Sequence, residues 1–380
     1  MFLNFNFITI VIYATFFSYL KDFGAYLLVP IFLLSTLAFV RNDDKSFFLN
    51  FNIKYLIFVF YALIILFLSQ LNFMPKSWTI LFDRIIALRQ FFFILTLPIF
   101  MFISYNFFSN YLKQINKKII FLLIAYLCIV GINDHLNFGK FNFFSTLTNS
   151  TIIWLLLLLI FFEKYNNKYF TLLSLTLIFV ISNYWIENPS LQFNLLLVFL
   201  FLIYLTNRNN IFTFGLTFVC IIIPFIPGYF LNFLENYLDE NTKVRLVLWI
   251  DAISALYDTY GFGVGFGTEW IKNEFYQIKS SSWVLFEFSN FNRMINTTTH
   301  SSFSDIYFRI GIIGFILFLN WFKKFFQTKM NKNNLYGSSM IIIILSFSTN
   351  PGLFSVNFYI GLSIALGLVI NLIKLEYEKS

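Results

Sequence analysis

The sequence is poor in charged residues, in histidine and in cysteine. Asp, Glu, Lys and Arg make up only 12% of the 380 residues, about half of their share in a soluble globular protein. The two cysteines lie inside apolar runs, and the two histidines, His135 and His300, are far apart. These few residues do not form the spacings of a zinc site or a disulfide framework. We therefore expect no metal and no other cofactor.

Apolar residues are abundant instead: 59% of the chain is hydrophobic, and the mean hydropathy is +0.76. Runs long enough to cross a bilayer recur along the whole sequence. Backbone groups in lipid must be hydrogen-bonded within the protein, and these uniform runs do not alternate as barrel strands would. The sequence therefore predicts an all-α, polytopic membrane protein.

About twelve segments have the composition of transmembrane helices. They are 5–20, 23–40, 53–71, 85–106, 118–132, 148–163, 168–184, 190–206, 211–230, 303–322, 336–350 and 352–373. The sequence shows no internal repeat, which argues against a transporter built from inverted repeats.

The distribution of Lys and Arg predicts the orientation. If the N-terminus is cytoplasmic, fifteen of these residues fall on the inner side and five on the outer side. Both termini are then cytoplasmic by the positive-inside rule, and the net charge of +8 needs no nucleic-acid partner. This topology divides the chain into N-terminal transmembrane helices (1–230), one large extracytoplasmic loop (231–302) and C-terminal transmembrane helices (303–380).

Two arginines oppose this charge distribution, because Arg84 and Arg89 begin the fourth segment on its outer side. Arginine is always charged and binds phosphate through two parallel hydrogen bonds. A phosphate-binding role competes with the ordinary alternative, in which the side chains reach toward lipid headgroups.

The large loop holds a predicted helix and a glycine run. The helix extends from about Glu235 to Tyr260, and it places Arg245 and Trp249 one turn apart. The glycines at 261, 263, 265 and 267 follow it. A strand does not precede this run, so a dinucleotide-binding loop is disfavoured. A tight turn that approaches a partner helix or the substrate is the better interpretation.

His300 stands where the loop enters the next apolar segment. Ser302 and Asp305 have the spacing of a capping box with Ser302 as the N-cap. A helix N-terminus there would favour the neutral imidazole, which can accept a proton, and could also hold an anion. The alternative is a boundary histidine that only hydrogen-bonds the loop.

Three short stretches of this region resemble the O-antigen ligase and O-antigen polymerase superfamily. They are Arg245-Leu246-Val247-Leu248-Trp249, Gly261-Phe262-Gly263-Val264-Gly265, and His300-Ser301-Ser302-Phe303 leading into Gly311-Ile312-Ile313-Gly314. The resemblance implies a metal-independent glycosyltransferase at the outer face of the bacterial inner membrane. Its donor would be a glycan on undecaprenyl diphosphate, and its acceptor lipid A-core for a ligase or another lipid-linked repeat for a polymerase.

The resemblance also implies roles for individual residues. His300 matches the catalytic histidine of the family and Arg245 its loop arginine. Ser301 stands where the family usually has asparagine, and Arg309 where an acidic residue is common.

We expect Arg245 and His300 to be catalytic, with Arg245 and Arg89 stabilising the diphosphate leaving group. The predicted substrate-binding residues are Arg84, Arg89, Trp249, Ser302, Asp305, Gly263 and Gly265. Ligase and polymerase remain open, and a polysaccharide flippase or a protein O-oligosaccharyltransferase are the competing functions.

Overall fold

The structure is a computed structural model that describes residues 45–74, 81–111, 151–165, 167–185, 191–222, 240–269, 301–349 and 356–379, with Leu33, Thr36 and Thr299. The predicted segments 5–20 and 118–132 lie outside the described residues, as does 23–40 apart from Leu33 and Thr36.

Helices make up nearly all of the described chain. They are α1 (Lys45–Gln70), α2 (Arg84–Tyr111), α3 (Thr151–Tyr165), α4 (Lys168–Trp185), α5 (Leu191–Thr206), α6 (Asn209–Ile222), α7 (Glu240–Asp258), α8 (Ser302–Phe322), α9 (Asn334–Thr349) and α10 (Val356–Lys379). Two 3-10 turns, Lys323–Phe325 and Thr328–Met330, connect α8 to α9. The two strands are β1 (Leu81–Phe82) and β2 (Thr268–Glu269).

The predicted all-α class is confirmed, and the described parts of nine predicted membrane segments lie in helices. Among the described residues, four stretches are long and apolar enough to cross a membrane by length and composition: Ser46–Gln70, Arg84–Asn110, Ser302–Phe325 and Tyr359–Tyr377. The total of about twelve transmembrane helices stays a prediction.

In the core of the molecule, α2 packs against both α1 and α10. The Tyr55 hydroxyl of α1 donates to the Ile94 carbonyl of α2, 2.8 Å away, and the hydroxyls of Thr96 and Tyr359 join α2 to α10. Gly367 brings α10 close to α2, because a Cβ at this position would lie 2.6 Å from the Cβ of Ser104. A small residue at such a contact permits the close helix packing typical of membrane proteins.

Helix α8 is not a single straight span, which corrects the prediction for residues 303–322. The ring centroids of Tyr307 and Phe315 are 5.4 Å apart, and those of Phe303 and Phe318 are 6.2 Å apart. In a straight helix these pairs would be separated by roughly 12 and 22 Å along the axis, at about 1.5 Å per residue. The chain reverses at Gly311, whose φ of 77° and ψ of −177° are not helical.

Helix α8 is therefore a hairpin of two short helices, 302–310 and 312–322, packed side by side. Residues 302–310 are all buried, whereas Ile312, Ile313 and Ile316 are exposed on the second arm. The second arm runs along α1, where Phe318 contacts Phe58. The first arm is thereby enclosed by protein, and its N-terminal end lies level with the middle of α1.

Candidate functional site

The glycine run forms a loop whose backbone no other residue type could follow without strain. Gly261, Gly263, Gly265 and Gly267 have φ values between 73° and 86°, which glycine adopts readily. The Thr259 hydroxyl, at the end of α7, accepts a hydrogen bond from the Gly263 N–H at 3.1 Å. The predicted tight turn is confirmed, and its neighbour in the structure is α8.

The loop binds the backbone groups that the reversal of α8 leaves without helical partners. The N–H groups of Val264 and Gly265 donate to the carbonyls of Phe308 and Arg309, at 2.8 and 3.0 Å, and the Ile312 N–H donates to the Gly261 carbonyl at 2.9 Å. A buried polar group without a partner is costly, especially in an apolar domain. The glycine loop therefore makes the hairpin of α8 possible.

Helices α1 and α2 hold the same loop from the other side. The Ser69 hydroxyl accepts from the Phe266 N–H at 3.0 Å, and the Gln90 side-chain oxygen accepts from the Gly267 N–H at 3.0 Å. Both side chains are buried, so these bonds do not compete with water. The loop is thus fixed between three helices.

The entry to α2 completes this connection. The Asp83 carboxylate caps α2 by accepting from the N–H groups of Ile85 and Ile86, at 2.7 and 3.1 Å. The Asp83 N–H donates to the Gly267 carbonyl at 3.0 Å. Strand β1, just before the cap, pairs antiparallel with β2, just after the loop. The N-terminal end of α2 and the glycine loop are therefore joined by several hydrogen bonds.

Arg309 lies fully buried at the tip of the hairpin. Its Nη1 is 3.4 Å from the carbonyl oxygens of Gly265 and Thr268, to both of which it donates. A guanidinium presents several N–H donors in a fixed geometry, so it can serve several backbone acceptors together. Arg309 thus ties the glycine loop to the first arm of α8.

At the other end of that arm, the chain is held just before His300. The Trp249 indole N–H of α7 donates to the Thr299 carbonyl at 3.1 Å, and the Asp305 carboxylate accepts from the Thr299 N–H at 2.8 Å. The Thr299 hydroxyl donates to the Ser301 carbonyl at 3.0 Å. Thr299, Ser301 and Asp305 are all buried, so this polar segment lies inside the apolar domain.

The N-cap of α8 is Ser301, not Ser302 as the sequence predicts. The Ser301 side chain accepts from the Ser304 N–H, and the helix begins at Ser302. Asp305 is one position too far along for a capping box, and its carboxylate reaches back to Thr299 instead. Serine occupies both candidate N-cap positions, 301 and 302, so the sequence alone did not fix the cap.

The structure brings together some of the predicted site residues. Trp249, Ser302 and Asp305 lie around Thr299, and Gly263 and Gly265 lie against the hairpin tip. Arg245, one turn before Trp249, is half-buried. His300 lies outside the described residues.

The two outer arginines differ in environment. Arg84 is exposed in the first turn of α2, and Arg89 is half-buried beside Gln90. A shared cavity for these side chains and Arg245 stays a prediction. Within the described ranges, no three His, Cys, Asp or Glu side chains are grouped as metal ligands.

Sequence reasoning missed four residues that shape the site, namely Ser69, Asp83, Gln90 and Thr259. Asp83 had a recognisable signal, because an aspartate immediately before an apolar helix is a typical N-cap. Ser69 and Gln90 carried no signal, since each bonds a backbone group of the glycine loop that only tertiary structure brings near. Thr259 bonds Gly263, four residues along the chain, through the local turn that ends α7.

The region that contains the glycine loop and the start of α8 matches a known protein family. Residues 189–319 match the family model described as O-Antigen ligase, which confirms the resemblance to the O-antigen ligase and O-antigen polymerase superfamily. The match covers roughly a third of the chain, from α5 to the second arm of α8. No curated protein and no solved structure matched the chain significantly.

Proposed function

We propose that the chain, as a member of the O-antigen ligase and O-antigen polymerase superfamily, is a glycosyltransferase of the bacterial inner membrane. It transfers a glycan from undecaprenyl diphosphate to a glycan acceptor, which is lipid A-core for a ligase or a lipid-linked repeat for a polymerase. The family match over residues 189–319 carries this proposal. That range includes α7, the glycine loop and the buried polar segment at the start of α8.

In the proposed reaction, an acceptor hydroxyl oxygen attacks the anomeric carbon of the donor sugar. The new glycosidic bond forms as the bond to the diphosphate oxygen breaks, and undecaprenyl diphosphate leaves with the electron pair. His300 takes the hydroxyl proton as general base. The described neighbours of His300, Thr299 and Ser301, are buried in an apolar domain, where electrostatic interactions with a reacting group are stronger than in water.

Arg245 is proposed to stabilise the negative charge of the leaving diphosphate. It shares a face of α7 with Trp249, because side chains four residues apart on a helix lie about 5–6 Å from each other at Cβ. Trp249 in turn contacts Thr299, the residue before His300. Arg89, half-buried beside the glycine loop, is proposed as a second cation for the donor, with the exposed Arg84 at the approach to the site.

Purified protein in vesicles, supplied with a lipid-linked donor and each acceptor in turn, tests the function. His300→Ala should lower the transfer rate by about 10²–10⁴-fold, the contribution of a positioned acid–base group. His300→Gln should be equally slow, because an amide cannot act as a base. His135→Ala, which removes the other histidine, is the control and should transfer at the wild-type rate.

The outcomes separate the assignments. Wild-type transfer by His300→Gln would refute the base but not the transferase. A wild-type protein that carries intact donor across the vesicle bilayer and forms no product would be a flippase. Loss of all long glycan on lipid A-core in a deletion strain indicates a ligase, and single repeats on the core indicate a polymerase.

A further inference from the structure

The backbone of Thr299 is hydrogen-bonded at both its N–H and its carbonyl. Its N–H donates to the Asp305 carboxylate at 2.8 Å, and its carbonyl accepts from the Trp249 indole at 3.1 Å. These two partners come from different elements, the first arm of α8 and α7. The Thr299 carbonyl belongs to the peptide bond that joins Thr299 to His300.

The residue after His300 is fixed as well. The Ser301 hydroxyl caps α8 by accepting from the Ser304 N–H. The Ser301 carbonyl accepts from the Thr299 hydroxyl. The Asp305 N–H donates to the Ser301 carbonyl at 2.8 Å. All of these groups are buried, so bulk water does not offer substitute partners. Thr299 and Ser301, which flank position 300 in the sequence, are thus both anchored.

We propose that Trp249 and Asp305 are positioning residues, which set the place of His300 by holding Thr299 and do not themselves contact the substrate. This assignment rests on the proposed function and replaces the prediction that both bind substrate. It follows from what the two side chains contact: the indole N–H and a carboxylate oxygen are already directed at the backbone of the chain.

Loss of one anchor should therefore slow catalysis and leave substrate binding intact. A displacement of a reacting group by about 1 Å can cost roughly 10²-fold in rate. Trp249→Phe keeps the ring and removes only the donor, so we expect kcat to fall about 10–100-fold with KM within about twofold of wild type. Asp305→Ala should behave similarly, and Asp305→Asn, which keeps an acceptor oxygen, should recover most of the lost rate.

The chain offers a matched control for the tryptophan. Trp321 is fully buried, and its indole N–H donates to the Asn52 side-chain oxygen of α1 at 3.0 Å and not to the Thr299 segment. Trp321→Phe removes the same kind of hydrogen bond from the contact between the second arm of α8 and α1. Its kcat per folded molecule should equal that of wild type.

A second measurement does not depend on glycan transfer. Only two histidines occur in the chain, so mass spectrometry can follow carbethoxylation of His300 by diethylpyrocarbonate, with His135 as an internal reference. Trp249→Phe and Asp305→Ala should change the His300 rate at least threefold relative to His135, whereas Trp321→Phe should not.

The outcomes distinguish the two proposals. A rise in KM with unchanged kcat for Trp249→Phe would overturn the positioning role in favour of substrate contact. If neither Trp249→Phe nor Asp305→Ala changes the rate of His300 modification, the positioning role is also overturned. If the modification rate changes as expected but the wild-type protein transfers no glycan, the positioning role stands and the proposed function fails.

Discussion

Gly263 meets two requirements that a side chain would violate. Its φ is 78°, and a Cβ would lie 2.7 Å from the Gly311 nitrogen and 2.8 Å from the Phe308 oxygen. These are backbone atoms at the reversal of α8, and the loop residues on either side of Gly263 are hydrogen-bonded to the same turn. The backbone therefore cannot yield without loss of those bonds.

We expect Gly263→Ala to destabilise the protein by about 2 kcal/mol or more, since left-handed backbone strain alone costs roughly 1–2 kcal/mol and the steric overlap adds to it. The measurement is thermal unfolding in detergent. Gly215→Ala is the matched control, because a Cβ on Gly215 of α6 meets nothing within 4 Å. That substitution should be neutral or slightly stabilising, as alanine favours helix by up to about 1 kcal/mol. Equal melting temperatures for the two variants would contradict the role of Gly263.

The sequence predicted where some site residues lie on their helices, but not which residues they contact. It placed Arg245 and Trp249 on one face of a helix, because helical periodicity is local. It could not show that the Trp249 indole bonds Thr299, fifty residues further along. That contact depends on α7 lying beside the first arm of α8, which is a property of the fold and not of either segment.

At the scale of elements, the positions of the helices were predictable but the reversal within α8 was not. Residues 303–322 form one mostly apolar segment, and hydropathy is the same for one long span and for two short helices buried against each other. Gly311 was visible in the sequence, but glycine is also common where straight helices pack closely. The reversal depends on the φ of Gly311 and on the glycine loop, which binds the carbonyls of Phe308 and Arg309.

Cysteine cross-linking can establish the hairpin in the membrane. In a background without Cys128 and Cys220, the pair Tyr307→Cys and Phe315→Cys should react with a single methylene-bridged bismethanethiosulfonate, because the native rings are 5.4 Å apart. Intact mass should show one bridging reagent per chain. In a straight helix the two thiols would be about 12 Å apart along the axis, beyond the reach of this reagent.

The pair Phe58→Cys and Leu66→Cys in α1 has the same spacing in sequence and serves as the control. These cysteines should each take a separate reagent molecule and remain unbridged. Two separate reagents on the 307 and 315 pair as well would show that α8 is straight in the bilayer.

At the scale of the whole molecule, several lysines lie at the end opposite the glycine loop. Lys54 donates to the Asn320 side chain at 2.8 Å, and Lys324 donates to the carbonyls of Asn50 and Phe51 at 3.0 and 2.8 Å. Lys374 lies over the Tyr105 ring. These residues come from segments far apart in sequence, and the fold brings them to one end as the positive-inside rule requires for a cytoplasmic face.

This grouping supports an orientation with the glycine loop outside and the connection between α8 and α9 inside. Alkaline phosphatase, which becomes active only outside the cytoplasm, should be active when fused after residue 275 and inactive when fused after residue 332. A cytoplasmic reporter such as green fluorescent protein should give the reverse pattern. The hairpin leaves this expectation unchanged, because its first arm ends at the glycine loop and its second arm runs back along α1 toward the lysines. Phosphatase activity confined to the fusion after residue 332 would invert the topology, and the donor would then have to reach the site from the cytoplasm.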